Sequence, residues 1–499
     1  MFISTKGFIS NYFNALKLRR FLLLVIITVF TSSKTLVSQS VNSIQASFGG
    51  GGIALIHGSS SIYLNPANMM INTYGFGNQI EIGTLFSETG IQNSLPSSYS
   101  LFRSAFLYSV LYDNSIKPNL HANLLATQGT VALSASALQA SFLIDDWSLG
   151  FGFRTRLNSN FEFSENLYEN STSQSNVRYY EAESSQWNEF TIGFARELDY
   201  FNLINSNFNR FFIGFSISLL QPISHDKTSL HENLILNDDE GNKLISNADS
   251  RYAGYISSIF STPNPSNAVI NPIQLGDLVQ NKGFGTGLNL SISYEIPFES
   301  IYKQVIDRKP ITKFWRFSLA LTDLGFMKFA DGLSTINAIQ DTVTTNLNSF
   351  KPIFENNFSF SINDRISILQ DPSVQTRLKR SKKSIDTNTM IYLPTQIKAG
   401  FVLNYNWIRL GSDLFYGLNQ SMNNTDEICL TGFSELKLIP FLPVRIGVLL
   451  KDFKPNHVST GLGLDLWNFS WDASLVYSTD SITINEPKAF AATGLRVRF

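Results

Sequence analysis

Apolar and polar residues alternate with a period of two through most of the chain beyond about residue 74. In residues 397–405 and 408–418 apolar residues recur at every second position except Ser412, and Lys398, Arg409 and Asp413 lie between. Such alternation predicts strands with one apolar and one polar face. These strands are about ten to twelve residues long, which is the length that a tilted strand needs to cross a membrane.

Turn residues between the alternating segments predict hairpins. The predicted pairs are 129–144 with 147–163, 188–198 with 210–221, 397–405 with 408–418, and 461–466 with 469–477. The polar faces carry Asp, Arg, Lys and Gly, which suit a wet lumen better than a dry core. We therefore predict an all-β fold, a transmembrane antiparallel β-barrel of about 14 strands formed by residues 74–499.

The chain ends on an amphipathic strand. One face carries Leu495, Val497 and Phe499, and the other carries Gly494, Arg496 and Arg498. An unpaired final strand would be an exposed edge, whereas in a closed barrel it pairs with the first strand. This ending resembles the C-terminal signal of outer-membrane barrels, which implies recognition by the barrel assembly machinery.

Composition favours the same fold. Charged residues make up 15% of the chain, below the roughly 25% of soluble domains, and there are 41 Phe and 18 Tyr. The net charge of −1 gives no reason to expect a nucleic-acid partner. The single cysteine, Cys429, excludes an intramolecular disulfide and a cysteine-based metal site.

The N-terminus has the pattern of an export signal. Basic residues up to Arg20 precede a short apolar run at 21–30, which is too short to cross a bilayer as a helix. We predict a signal peptide over residues 1–38, with cleavage after Ser38. An exported chain of this pattern is expected in the bacterial outer membrane, beside lipid and lipopolysaccharide.

A glycine-rich segment follows the signal. It contains Gly49, Gly50, Gly51 and Gly52, then a serine-rich stretch and the tripeptide Asn65, Pro66, Ala67. This order resembles the start of the FadL/TodX superfamily of outer-membrane transport proteins. The resemblance implies a 14-stranded barrel for hydrophobic compounds, with residues 39–73 as a hatch that closes the lumen. The alternative is a flexible linker before the first strand.

A second resemblance covers most of the mature chain. Residues 283–288 and the element Thr322-Asp323-Leu324-Gly325-Phe326 are similar to an uncharacterised family of outer-membrane barrels related to that superfamily. No activity is implied by this family. From the residues, 322–325 indicate a strand end that turns into a loop, with the Asp323 side chain bonded to nearby backbone.

Two stretches interrupt the alternation, and we predict long loops near 224–282 and 331–389. The second carries the basic residues Arg377, Lys379, Arg380, Lys382 and Lys383. These residues indicate either a solvated loop tip or a contact with lipopolysaccharide phosphates or another anion.

The sequence offers little catalytic chemistry. His225 and His231 are close in sequence but have no acidic partner at metal-ligand spacing, so we expect neither a metal nor a cofactor. Asp465 and Asp472 could mimic a catalytic pair, but we expect them to pair with Arg496 and Arg498 inside the barrel. We expect no enzyme.

Two functions remain open at this stage. The first is a channel or transporter for hydrophobic or small solutes, gated by the N-terminal hatch. The alternative is a scaffold or secretion-associated barrel whose long loops bind partner proteins.

Overall fold

The computed structural model describes residues 43–71, 79–93, 128–163, 175–198, 209–236, 243–255, 282–298, 311–330, 333–346, 380–386, 389–424, 426–466, 468–478 and 489–499. The predicted signal peptide and its cleavage position lie outside these residues. So do residues 39–42 and 72–73 of the predicted hatch, and Arg377 and Lys379 of the basic cluster.

Strands dominate the described residues. They are β1 (Gln79–Asn93), β2 (Gln128–Ile144), β3 (Trp147–Phe163), β4 (Ser175–Leu198), β5 (Arg210–Leu236), β6 (Lys243–Tyr255), β7 (Gly283–Pro297), β8 (Lys313–Phe329), β9 (Leu333–Asn346), β10 (Arg380–Asp386), β11 (Ile391–Tyr392), β12 (Gln396–Tyr405), β13 (Ile408–Gly417), β14 (Cys429–Ile439), β15 (Leu442–Lys451), β16 (Lys454–Leu466), β17 (Phe469–Ser478) and β18 (Ala489–Arg498). The helical elements described are α1 (Ser43–Ser47) and the 3₁₀ helices Gly58–Ser61, Pro66–Met70 and Ser421–Asn423. None of these helices has the length and apolar character needed to cross a bilayer.

Fourteen strands close into an antiparallel barrel. Their order around the barrel is β1, β2, β3, β4, β5, β7, β8, β12, β13, β14, β15, β16, β17 and β18, and β18 pairs back to β1. The predicted transmembrane barrel is confirmed, and so are the four predicted hairpins.

The last strand closes the barrel. Leu495 and Val497 of β18 lie opposite Thr84 and Ile82 of β1. The backbone N–H of Phe499 donates to the carbonyl of Ile80 at 2.8 Å, and the N–H of Ile80 donates back at 3.0 Å. The C-terminal strand is therefore paired on both sides, by β17 and β1, and is not an edge.

The two ends of the barrel differ in their connections. At one end, β2–β3, β12–β13, β14–β15 and β16–β17 are each joined by two residues. At the other end, residues 94–127 join β1 to β2, and the β8–β12 connection includes three further strands. Barrels of the outer membrane place short turns in the periplasm and long loops outside. The end that holds Phe499 is therefore the periplasmic end.

The barrel strands present polar residues to the lumen and apolar residues to lipid. On β12, Lys398 and Asn404 are buried in the lumen, while Ile397 is 41% exposed on the outer face. On β8, Arg316 is buried, and Phe317 is exposed outward. This inversion of the usual soluble pattern is what a membrane-spanning barrel requires.

Aromatic residues form two girdles around the outer face. Exposed aromatic side chains at the periplasmic end are Trp147, Phe298, Tyr405, Trp407, Phe441, Phe469 and Phe499. Those at the extracellular end are Phe284, Tyr392, Tyr416, Phe453 and Tyr477. Amphipathic aromatic rings favour the two membrane interfaces, so the girdles mark the edges of the lipid-facing band.

The two stretches predicted as long loops contain strands. β5 continues to Leu236 beyond the barrel wall, where β6 pairs with it, β9 pairs with β6, and β10 pairs with β9. The first stretch therefore contributes strand residues through 236 and again at 243–255, and the second contributes 333–346 and 380–386. These strands form an extracellular sheet extension on one side of the barrel.

The interpretation of residues 322–325 as a strand end was wrong. They lie inside β8, where Asp323 has φ of 54° and the register against β7 shifts. A β-bulge inserts an extra residue and re-aims its side chain. Here the bulge directs the Asp323 carboxylate to Arg156 of β3, at 2.9 Å, in place of the nearby backbone.

Candidate functional site: a segment seated inside the barrel

Residues 43–71 fill the barrel lumen, and we call them the lumen segment. All of them are buried except Gly50 and His57, which are half-buried. None of them joins the sheet. The segment is therefore a separate body inside the wall, held by side-chain contacts.

The glycine run makes the tight turns at the start of the lumen segment. Gly49 and Gly52 have φ of 67° and 95°, which side chains other than glycine rarely adopt. Gly51 lies so close to Thr431 that an added methyl group would overlap the hydroxyl. The Ile53 N–H then donates to Asp413 Oδ2 at 2.8 Å, so the run ends on a lumen carboxylate.

The predicted Asn65-Pro66-Ala67 element holds the second half of the lumen segment together. Asn65 Nδ2 donates to the Ile53 carbonyl at 2.8 Å and to Ser293 Oγ at 3.1 Å. Pro66 begins a 3₁₀ helix, where its missing N–H costs nothing. The Ala67 N–H donates to Ser291 Oγ at 2.8 Å. Ile53 directly follows the glycine run, so the bond from Asn65 to its carbonyl brings the two predicted hatch motifs together.

Asn68 adds further hydrogen bonds that hold the two halves of the lumen segment together. Nothing in the sequence pattern indicated this role. Its Nδ2 donates to the carbonyls of Ile53 and Ile56, at 2.9 and 2.8 Å. Ser293 Oγ donates to Asn68 Oδ1 at 2.6 Å. The amide therefore ties the segment to itself and to β7.

Lumen-facing glycines of the barrel make room for the lumen segment. We call them the glycine seat: Gly150, Gly152, Gly193, Gly214, Gly400, Gly447 and Gly461. A Cβ atom added at any of these positions would overlap an atom of the segment. At Gly214 and Gly447 the overlapping atoms belong to the segment's backbone, which cannot swing aside.

Serine hydroxyls supply further contacts between wall and segment. Ser216 Oγ donates to the Ile62 carbonyl at 2.9 Å, and Ser459 Oγ donates to the Ser47 carbonyl at 2.8 Å. Two charged residues also reach the segment. Arg316 donates to the Ala54 carbonyl at 3.0 Å, and Glu81 accepts from the N–H and hydroxyl of Ser59.

The apolar part of the interface comprises two clusters, and the first lies on the β2–β5 side of the barrel. There the lumen segment buries Ile62, Met69 and Met70 in one cluster with Leu143 and Phe212. Elsewhere the segment contributes Phe48 to a second cluster, where its ring lies 4.5 Å from that of Phe433. Burial of these apolar side chains stabilises the segment inside the lumen.

A belt of paired charges lines the lumen near the periplasmic end, and we call it the charged belt. Its members are Glu81, Arg210, Glu295, Arg316, Arg409, Glu435, Arg445, Asp465, Asp472, Arg496 and Arg498. Glu435 accepts from Arg409 and Arg445, at 2.8 and 2.7 Å. Glu295 pairs with Arg316 and, at 3.5 Å, with Arg210.

The predicted carboxylate–arginine pairing lies in this belt. Asp472 binds Arg496 at 2.6 Å and Arg445 at 2.5 Å, and Asp465 lies 3.3 Å from Arg498. Both predicted aspartates therefore pair as expected. The sequence reading missed Glu81, which accepts from Arg498 at 2.6 Å across the closing strand pair.

A second charged cluster crosses the lumen on the extracellular side of the segment. Arg154 binds Glu189 at 2.8 Å, and Arg156 binds Asp323 at 2.9 Å. Arg154 also lies 3.8 Å above the Tyr63 ring of the lumen segment, and Arg156 lies 4.8 Å from the Trp187 ring. These contacts join β3, β4 and β8 above the segment.

An apolar cluster follows further toward the extracellular end. It comprises Trp187, Leu220, Met327, Phe329, Ile391, Leu393 and Met422. Met422 belongs to the β13–β14 connection, and its carbonyl accepts from Asn158 of β3 at 3.4 Å. This connection therefore folds inward over the lumen.

Within the described part of the chain, no group of three or more His, Cys, Asp or Glu side chains is arranged to hold a metal ion. His225 is buried, with Nδ1 2.8 Å from Ser185 Oγ. Arg380, Lys382 and Lys383 of the basic cluster lie on β10, which pairs with β9 in the sheet extension.

One family model matches residues 66–471, and its description is a family of unknown function (DUF5723). The chain belongs to this family. No curated protein matches the chain.

Similar solved structures include barrels of the kind that the sequence resemblance names. A mutant of the monoaromatic hydrocarbon channel TodX is 11% identical, with a TM-score of 0.43, and the match covers 92% of this chain and 98% of that one. The toluene transporter TodX of P. putida is 11% identical, with a TM-score of 0.40 and coverage of 92% and 97%. A FadL homologue of Pseudomonas aeruginosa is 10% identical, with a TM-score of 0.40 and coverage of 93% and 99%.

Proposed function

We propose that this protein is an outer-membrane channel for hydrophobic or small solutes, and that the lumen segment is its gate. One observation carries the proposal: a separate segment of 29 residues, 43–71, lies inside the barrel without joining its sheet. If the lumen were permanently closed, large inward-facing side chains of the barrel strands would fill it and stabilise the closed state. The glycine seat instead leaves room for a separate segment that can move.

The way the lumen segment is held supports movement. Several of the wall's hydrogen bonds to the segment come from neutral serine hydroxyls, and each of these contributes about 0.5–1.5 kcal/mol. The charged belt, in contrast, pairs mostly with itself. Displacement of the segment would therefore leave most belt ion pairs intact.

The proposed substrate class is inferred from the side chains on the extracellular side of the lumen. The cluster around Trp187, Met327 and Met422 gives an entering apolar solute a surface on which to bind. Sulfur-containing and aromatic side chains adapt to differently shaped apolar ligands. The guanidinium groups of Arg154 and Arg156 lie below, between this cluster and the lumen segment, so small polar solutes also find partners.

Planar-bilayer conductance tests the gate. In a Cys429→Ser background, Ala67→Cys with Ser291→Cys introduces a thiol at each of two residues in direct contact, since the Ala67 N–H donates to Ser291 Oγ at 2.8 Å. Oxidised protein should be silent, and reduction should produce conductance steps. A variant lacking residues 49–68 should conduct under both conditions.

Two outcomes would contradict the gate. If inserted protein that lacks residues 49–68 conducts no more than the intact chain, the lumen is closed by something else. If the oxidised cysteine pair conducts as well as the reduced one, the segment does not move during opening. Heat-dependent gel mobility checks that every variant is folded.

A scaffold that binds partner proteins is the second candidate, and the sheet extension favours it. β6, β9 and β10 lie outside the barrel ring and are not needed to close it. A scaffold predicts that removal of residues 331–389 abolishes cross-linked partners in intact cells while conductance stays unchanged. Unchanged cross-linking after this deletion would exclude β9 and β10 as the binding surface.

A further inference from the structure

The outer face of the barrel carries a groove on β5, β7, β8 and β12. It encloses about 400 Å³. Outward-facing side chains line it, among them Ile213, Phe215, Leu290, Ile292, Leu319 and Ile397. Its floor is wall backbone at the small, lumen-facing residues Gly214, Ser291 and Ala320. The groove is a concave, apolar site inside the lipid-facing band.

The groove lies in the periplasmic half of that band. Leu319 and Leu321 follow the periplasmic start of β8, Lys313, by six and eight residues. At about 3.3 Å per residue and a tilt of about 40°, they lie roughly 15–20 Å along the membrane normal from Lys313. The hydrocarbon core is about 30 Å thick, so the groove reaches the middle of the bilayer from the periplasmic side.

A cation marks the periplasmic end of the same face. Lys313 is the first residue of β8, and its Nζ lies 5.5 Å from the centre of the Tyr405 ring. The rings of Phe298 and Trp315 complete this aromatic group, 5.8 Å apart. A lysine within an aromatic girdle stands at the depth of lipid phosphates and attracts them.

One line of outward side chains joins the cation to the groove. Along β8 it runs from Lys313 through Trp315 and Phe317 to Leu319. The Phe401 ring of β12 packs on both aromatic members, at 4.9 and 5.1 Å. From the periplasmic interface toward the middle of the bilayer, the line therefore presents a cation, two aromatic rings and an apolar groove. A phospholipid presents its phosphate, its glycerol region and its acyl chains in the same order.

We propose that this face binds one phospholipid of the periplasmic leaflet, with its phosphate at Lys313 and an acyl chain in the groove. A second copy of the barrel offers no phosphate to Lys313, so the lipid fits both ends of this face and a second copy only the apolar one. Water is excluded because the site lies within the hydrocarbon band. The proposal does not depend on transport.

Native mass spectrometry of delipidated protein in detergent tests the proposal. The probes are phosphatidylglycerol and a diacylglycerol with the same chains, which lacks the phosphate. We expect one phosphatidylglycerol per barrel, bound at concentrations at least about tenfold below those needed for diacylglycerol, because only the first pairs with Lys313.

Two test variants and one control locate the lipid. Leu290→Trp with Ile292→Trp fills the groove and should abolish the bound phosphatidylglycerol. Leu462→Trp, at a lipid-facing position on β16, is the matched control and should retain it. Lys313→Gln should lower the affinity for phosphatidylglycerol to that for diacylglycerol.

Three results would overturn the proposal. These are retention of one lipid by the filled groove, equal affinity for the two probes in the unaltered protein, and unchanged affinity in Lys313→Gln. A filled groove that changes the oligomeric mass without changing the lipid count would indicate a second copy instead. Heat-dependent gel mobility shows that each variant is a folded barrel.

Discussion

The charged belt and the glycine seat line the same half of the lumen, and they differ in what they join. The belt joins mainly barrel strands to one another, as when Arg445 bridges Glu435 and Asp472 across β14, β15 and β17. The seat joins barrel strands to the lumen segment, as in the backbone contact at Gly447, and neighbouring serine hydroxyls such as that of Ser459 add hydrogen bonds to it.

This difference assigns separate tasks to two sets of residues. Paired buried charges are costly to break singly, because the remaining partner is left without compensation. Contacts made by glycine and serine are individually weak. The barrel can therefore stay closed as a cylinder while the segment inside it changes position. Substitutions in the seat and in the belt should accordingly have different effects.

The largest expected effect on channel opening comes from overfilling the glycine seat. Gly447→Leu would drive a side chain into the backbone of Phe48 and Gly49. Overpacking costs about 1–3 kcal/mol, and here the lumen segment can escape by leaving the lumen. We expect the open probability in planar bilayers to rise about tenfold or more.

Gly432→Leu on the adjacent strand is the matched control. A Cβ atom at Gly432 meets nothing within 4 Å, so this variant should conduct like the unaltered protein. Protease should cut the lumen segment in Gly447→Leu alone. Equal conductance of the two variants would mean that the seat does not hold the segment.

Breaking the charged belt should destabilise the barrel instead. Arg445→Met leaves the carboxylates of Glu435 and Asp472 buried with one partner fewer, and loss of one member of a buried pair costs about 3–5 kcal/mol. We expect the midpoint of urea unfolding, followed by gel mobility, to fall clearly. Conductance of the folded fraction should not change.

Arg196→Met serves as the comparison for this substitution. Arg196 and Asp146 are 3.4 Å apart, with side chains 43% and 42% exposed, and such exposed pairs contribute about 0–1 kcal/mol. Its unfolding midpoint should shift little. Equal shifts in the two arginine variants would show that the belt does not stabilise the barrel.

Asp413 tests a single strong contact between wall and lumen segment. Asp413→Asn keeps the shape but weakens the bond from the Ile53 N–H, because hydrogen bonds to charged groups contribute about 1.5–3 kcal/mol and neutral ones less. Brief openings should become several-fold more frequent, with the unfolding midpoint nearly unchanged. Asp465→Asn, which removes a carboxylate facing Lys437 and Arg498, should show the reverse pattern.

The sequence predicted the barrel because each lipid-crossing strand must alternate in order to satisfy lipid on one face and the lumen on the other. It also predicted that Asp465 and Asp472 pair with Arg496 and Arg498 inside the barrel, since all four lie on polar faces of strands. In the structure Arg496 pairs with Asp472, and Arg498 pairs with Asp465. It missed Glu81 and Asp413, because their partners lie about 360 to 420 residues away along the chain. Such contacts depend on strand register and ring position, which alternation alone does not specify.

Two further errors have local causes. The sheet extension was read as loops because strands outside the membrane need no apolar face toward lipid, and their polar composition resembles that of loops. Asp323 was read as a turn residue because Asp and Gly are common in turns. The same residue types also permit the positive φ of a bulge, and only the pairing of β7 with β8 distinguishes the two.

The smallest expected effect on channel opening tests whether a single serine hydrogen bond to the lumen segment contributes on its own. Ser459→Ala removes the hydroxyl that donates to the Ser47 carbonyl at 2.8 Å and leaves this buried acceptor without that bond. The loss should be about 0.5–1.5 kcal/mol, which is roughly a two- to tenfold rise in the frequency of openings. Ser434→Ala, at an outward position of β14, should have no effect. If Ser459→Ala instead lowers the unfolding midpoint and leaves the openings unchanged, the hydroxyl stabilises the wall, and the separation between seat and belt fails at this contact.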